Sequence, residues 1–201
     1  ALYNETWREY FQRKNNYISL KDRIKYMDSL EIPDMITWNL DIWQLIRDVI
    51  GHTEDSKVLM QIWRSLNEIS ILDPTCCSGA FLFAALTILE SLYIDCIEQI
   101  EYLLEIKSEN QEDLTIIQFR MLMENITKHP NTRYFVLKTI VLNNLYGVDI
   151  MEEAVEICKL RFFLKLIAQI DDFVQIEPLP DIDFNIRPGN TLIGFSTLEQ
   201  V

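Results

Sequence analysis

The stretch ILDPTCCSGAFLFAAL, Ile71 to Leu86, constrains the fold more than any other part of the chain. A short apolar run ends in an acid, passes through Pro, Thr, two cysteines, Ser and Gly, and then turns apolar again. An apolar run of that length between turn residues reads as a buried strand, and the longer apolar segment behind it reads as a helix. The order recurs in LYGVDIMEEAVEICKLRFFLKLIAQI, with a strand over 145–150 carrying Asp149 near its end. The segment after it has acids in its first turn, basic residues further on and an apolar face, as a helix should. Two units of strand, acid and helix predict an α/β fold with parallel strands.

The flanks are helical in pattern. Trp7, Tyr10, Phe11, Tyr17, Leu20, Ile24 and Met27 are spaced for one or two amphipathic helices over 3–28, with Pro33 as the break. MITWNLDIWQLIRDVIG resumes the pattern and Gly51 marks its stop, after which a short helix over 56–67 leads into the first strand. Residues 80–104 are apolar on nearly every face, so this helix is expected to be buried on two sides. Two further helices, over 114–128 and 134–142, flank HPN, where Pro130 forbids continuation. The tract IEPLPDIDFNIRPGNTLIGF holds three of the six prolines and two of the five glycines, so an irregular loop is expected, ending in a short strand or turn around Asn185 to Leu192. The expected organisation is a helical lobe over 1–67 and an α/β part over 68–201, with a helical insertion over about 105–143.

Several functional classes are disfavoured. No uninterrupted apolar run reaches the roughly 18 residues of a membrane span, and a cytoplasmic location without membrane contact is expected. The chain starts at Ala1 rather than Met and reads as a piece of a longer polypeptide. Cys76, Cys77, Cys96 and Cys158 form no CxxC pair and have no accompanying His spacing, which argues against zinc and a redox dithiol and for reduced thiols. His52 and His129 sit among loop residues and read as exposed turn positions. A net charge of −13 repels phosphate backbones, so this piece is a poor main grip on nucleic acid. The basic residues among the aromatics of 7–26 fit the solvated face of an amphipathic helix better than a nucleic-acid arm.

The loop after the first strand sits where an α/β sheet binds its ligand. It has neither the GxxxxGK[ST] nor the GxGxxG spacing, so phosphate is not its target. Asp73 suits a cationic or hydroxyl-bearing ligand, Gly79 lets backbone pass close to it, and Asp149 stands where such folds accept ribose hydroxyls. Either acid alone would read as a turn residue or a helix cap; together, at the ends of two candidate strands, they favour ligand binding.

DPTCCSGAF, Asp73 to Phe81, resembles the DPxCGSGxF cofactor loop of adenine-specific DNA amino-methyltransferases of restriction-modification systems, especially the large fused enzymes with a helical lobe ahead of the catalytic domain. LYGVDIMEEAVEICKLR matches their second motif and NIRPGNTLIGF, with Gly189 and Asn190, their third. The likeness runs from about Trp7 to the end of the chain, with the three segments in family order. It implies a partial Rossmann-like methyltransferase core that binds S-adenosylmethionine, in a full-length enzyme whose partners are DNA and the remaining domains of the same polypeptide. It further implies that Asp73, Thr75, Cys76 and Gly79 line the methionine part, with Phe81 closing the apolar side. Asp149 would hold the ribose, Ile150 would pack on the adenine ring and Asn190 would bond its edge. Thr37 and Asn39, in ITWNLDIWQLI, take the place of the family's YTPxxVV segment. Two departures stand out. Cys77 replaces a glycine, and the catalytic [ND]PP[YF] tetrapeptide is absent, so the chain alone is expected to be inactive. The alternative is a non-catalytic, degenerate module serving as a structural or interaction domain.

Overall fold

The computed structural model describes residues 5–25, 41–107, 113–170 and 180–193; Thr37 and Asn39 lie outside them. In chain order the elements are α1 (Trp7–Lys25), α2 (Ile42–Gly51), α3 (Ser56–Glu68), β1 (Ile71–Asp73), α4 (Ala80–Ile106), α5 (Leu114–Ile126), α6 (Thr132–Asn143), β2 (Leu145–Asp149), α7 (Glu152–Ile167) and β3 (Ile186–Pro188). They gather into two compact units, one of Ala1–Trp63 with Asp95–Ile117 and the other of Arg64–Ile94 with Gln118–Val201. The division falls near the expected lobe boundary but cuts α4 between its halves, and from Gln118 onward the helices expected as an insertion group with the strands.

The helical unit starts at a reciprocal cap. Thr6 Oγ1 accepts the Glu9 N–H at 3.4 Å while the Glu9 carboxylate accepts the Thr6 N–H at 2.8 Å, and a single helix α1 follows. Asp41 caps α2 by accepting the Gln44 N–H at 3.1 Å, and Leu45, Val49 and Ile50 form its buried side. Polar ties join the helices of this unit. The Tyr17 hydroxyl donates to Asp48, Arg47 grips Asp95 with bonds of 2.6 and 3.2 Å, and Gln99 Nε2 donates to the Thr53 carbonyl at 2.8 Å.

The second unit holds a three-stranded parallel sheet in the order β1-β2-β3. Asp73 is opposite Gly147, and Asp149 is opposite Pro188. Gly147 leaves room for its neighbours: a Cβ there would lie 2.9 Å from Leu82 Cδ1 and 3.0 Å from the Cys76 side chain, so both would have to shift. Two buried asparagines tie the strand starts to the helices. Asn144 Nδ2 donates to the carbonyls of Leu66 and Ile69 at 2.7 and 2.6 Å, and its Oδ1 accepts from the Tyr93 hydroxyl at 3.1 Å. Asn185 Nδ2 reaches the carbonyls of Val141, Leu142 and Leu145 at 2.9 to 3.2 Å. Each donates to carbonyls near a helix end or strand start, where the regular backbone pattern leaves acceptors over. At HPN the break is completed by Asn131, whose side chain caps α6 through the Tyr134 N–H at 2.8 Å.

By length and composition alone, α4, with 27 residues, is long and apolar enough to cross a membrane. This exceeds the expectation from uninterrupted apolar runs, because Glu90 and Asp95 break the run without ending the helix. Both acids are ion-paired within the protein, to Arg133 at 2.5 Å and to Arg47 at 2.6 Å, and Leu82, Leu86, Tyr93, Ile97, Ile100 and Leu103 of the helix are buried.

Candidate functional site

The loop from Asp73 to Gly79 is shaped by its own residues before anything else touches it. Asp73 Oδ1 accepts the Thr75 N–H at 3.1 Å, an Asx turn that bends the chain off the end of β1. Cys76 then turns inward, giving its N–H to the Val148 carbonyl at 2.9 Å and accepting the Gly79 N–H at 2.7 Å. Cys77 adopts φ +48° and is the only non-glycine among the described residues with positive φ. The loop therefore keeps the left-handed geometry suited to a glycine, with a Cβ that costs about 1–2 kcal/mol of strain. Gly79, at φ +84°, closes the loop over α7, where a Cβ would come 2.5 Å from Cys158 Sγ.

Three segments far apart in sequence meet here. The Cys77 N–H donates to Asp149 Oδ2 at 2.7 Å, which links the first loop to the tip of β2. The Gly189 N–H donates to the Asp149 carbonyl at 2.8 Å, and Thr191 Oγ1 donates to the Pro74 carbonyl at 3.2 Å, so the turn after β3 closes the third side. Asn190 Oδ1 accepts the Leu192 N–H at 3.0 Å, and the side chain stays exposed. The Asp149 carboxyl is held below the usual carboxylate range, first by the Met151 N–H on Oδ1 at 3.0 Å and then by the Cys77 N–H. It therefore stays an anion at neutral pH. Among the described residues neither Asp73 nor Asp149 is ion-paired. A carboxylate has about four acceptor positions, so with the N–H groups of Met151, Cys77 and Ile150 on it Asp149 still has room to take a hydroxyl.

The residues singled out from the sequence divide by what they can present. Asp73 and Asp149 are half-exposed, and Thr75 and Asn190 are exposed. Phe81 and Ile150 are each 72% exposed, so most of each apolar side chain faces outward. Gly79 is buried. Cys76, expected to line the crevice, instead buries its thiol against Gly147 and Cys158, and both backbone groups are used within the site. Burial pushes the Cys158 thiol up to about 12 and raises that of Cys76, so both stay protonated. Among the described residues no group of three or more His, Cys, Asp or Glu could hold a metal ion. Sequence reasoning passed over Thr191 and Arg161; the latter donates to the Ser78 carbonyl at 2.5 Å. Both lie within the segments that match the second and third motifs, but the resemblance gave them no role, and only the folded chain brings them to the loop.

Residues 50–177 match the model of the MmeI DNA-methyltransferase domain, a range that takes in β1, the loop, β2 and α7. A protein of Methanocaldococcus jannaschii named "Putative type II restriction enzyme and methyltransferase" is 36% identical over 149 residues, covering 71% of this chain and 10% of its own length. The chain thus spans about a tenth of that relative. No solved structure matches. With the family match covering more than half of the chain and taking in β1, the loop and β2, the chain belongs to the family of MmeI DNA-methyltransferase domains.

Proposed function

We propose that this chain is the S-adenosylmethionine-binding portion of an adenine-specific DNA methyltransferase in a restriction-modification enzyme, built on a partial Rossmann-like core. The observation that carries the reading is the convergence of three segments on Asp149: the Asp73–Gly79 loop through the Cys77 N–H, the tip of β2 itself, and the 189–191 turn through the Gly189 N–H.

The chemistry of the donors supports that ligand. Two carboxylates that make no ion pair among the described residues favour a sulfonium cation and accept ribose hydroxyls, while the exposed side chains of Phe81 and Ile150 offer apolar contact to a purine. In this reading Asp149 holds the ribose, Asn190 offers its amide to the adenine edge, and Asp73, Thr75 and Gly79 border the methionine part. Bound S-adenosylmethionine supplies the electrophilic methyl group. The protein's share is to hold the cofactor in line with an amino nitrogen presented on a flipped base. The residues that would grip that base are absent from this sequence, which has no [ND]PP[YF] segment, so DNA and the rest of the polypeptide are the partners this reading requires.

One observation favours the second reading, a non-catalytic module. The Cys77 N–H already takes one oxygen of Asp149, and the side chain at that position is not the family's hydrogen. A melting-temperature measurement on the intact protein separates the two. Ligand at 100 times its Kd stabilises by about 2.7 kcal/mol, so S-adenosylmethionine should raise the melting temperature by several degrees. No shift at millimolar ligand would reject the cofactor role and leave the module.

A further inference from the structure

Arg161 lies on α7 three residues after Cys158, so both side chains leave the helix on one face, and that face carries the loop. Its Nη1 donates to the Ser78 carbonyl at 2.5 Å and lies 3.4 Å from Ser78 Oγ. The guanidinium is itself held in place, stacked over the Phe83 ring at 4.4 Å from its centroid. Phe83 in turn stacks on Phe162 at 4.6 Å and 11°, and its N–H donates to the Gly79 carbonyl at 2.9 Å. The cation therefore sits between the loop it binds and the aromatic pair that fixes its orientation.

The loop needs such a hold. Cys77, next to Ser78, is a non-glycine at positive φ, and such backbone persists only where its surroundings over-determine it; Gly79, on the other side, takes its positive φ freely. Asp149 holds the loop from β2 through the Cys77 N–H, and Arg161 holds the adjoining residue from α7 through the Ser78 carbonyl. Between them the backbone of Cys77 and Ser78 has one set path. A planar guanidinium suits this place, since it can stack and donate in its own plane together, which an ammonium cannot.

We propose that Arg161 is a positioning residue for ligand binding: without touching the cofactor, it fixes the 76–79 loop in the shape that the cofactor meets. The inference rests on the cofactor-binding reading above. A loop that is competent only a tenth of the time weakens apparent affinity tenfold.

The test uses the intact protein as wild type, Arg161→Met and Arg161→Lys, with two readouts. Amide hydrogen exchange over residues 77–83, measured without ligand, should quicken in Arg161→Met and less in Arg161→Lys. Calorimetric titration with S-adenosylhomocysteine should give a Kd raised about tenfold for Arg161→Met and by less for Arg161→Lys. In a methylation assay the effect should fall on KM for the cofactor with kcat little changed, a split that general loss of stability would not produce. If Arg161→Met does not fold, Arg161→Lys decides. Unchanged exchange, or a Kd within twofold of wild type in a folded variant, overturns the proposal. A wild-type protein that binds no S-adenosylhomocysteine would sink the cofactor reading and the positioning role with it, while faster exchange in the variants would still separate that failure from the absence of an Arg161 clamp.

Discussion

Replacing Gly79 by alanine tests how tightly the loop is seated on α7. Two costs add. At φ +84° an alanine carries left-handed strain of about 1–2 kcal/mol, offset by about 0.4–1 kcal/mol because alanine restricts the unfolded chain. Its methyl would also stand 2.5 Å from Cys158 Sγ, a contact no packed interior tolerates, and forcing an extra carbon into such a place costs about 1–3 kcal/mol. The net expectation is a loss of about 2–4 kcal/mol. Cys158→Ala removes the atom in the way and should cost about 1 kcal/mol by itself, as a small buried group. In the double variant the methyl added by Gly79→Ala takes the space left by the sulfur, so the strain remains but the clash goes. Equilibrium urea unfolding of the four proteins closes the cycle, with an expected favourable coupling of about 1–3 kcal/mol. Additivity to within about 0.5 kcal/mol, or a Gly79→Ala variant as stable as wild type, would refute the seating of the loop on Cys158.

Asn144→Leu should cost about 2–4 kcal/mol, because it removes the donor to the buried Leu66 carbonyl and to the Ile69 carbonyl together with the acceptor of the Tyr93 hydroxyl bond; a loss under about 1 kcal/mol in urea unfolding would contradict the strut. Of the four thiols only Cys77 is exposed, and burial pushes Cys96 and Cys158 up to about 12. Native alkylation read by peptide mass should therefore label Cys77 first, and labelling of Cys76 or Cys158 at a similar rate would show that the loop opens widely. The chain of residues 1–201 by itself should transfer no labelled methyl group to DNA, since it lacks the tetrapeptide that grips the base; incorporation would mean that other residues do that work.

The strands and their acids were legible because a buried parallel strand has to be a short apolar run and because Asp73 and Asp149 close two of them. The break at HPN was legible for a covalent reason, the ring of Pro130. Asn144, Asn185 and Arg161 were not. A buried asparagine that satisfies three groups looks, in sequence, like any loop asparagine, and an arginine on an amphipathic helix looks like its solvated face. Their roles depend on which carbonyls the fold brings near them, and periodicity carries no such information. The same holds for Cys76, whose small side chain fits a crevice wall and a core equally well until Gly147 opens the space that takes it. Nor does periodicity show that α4, one uninterrupted helix, contributes its two parts to different compact units.

The most direct test of the account is calorimetric titration of S-adenosylhomocysteine into the intact protein, wild type beside Asp149→Ala. The wild type should bind at one site, and the variant, which loses a charged acceptor for a hydroxyl, should bind about 10- to 100-fold more weakly. Equal affinity in the two, or no heat from the wild type at millimolar ligand, would contradict the claim that the loop, the tip of β2 and the turn after β3 form a cofactor site.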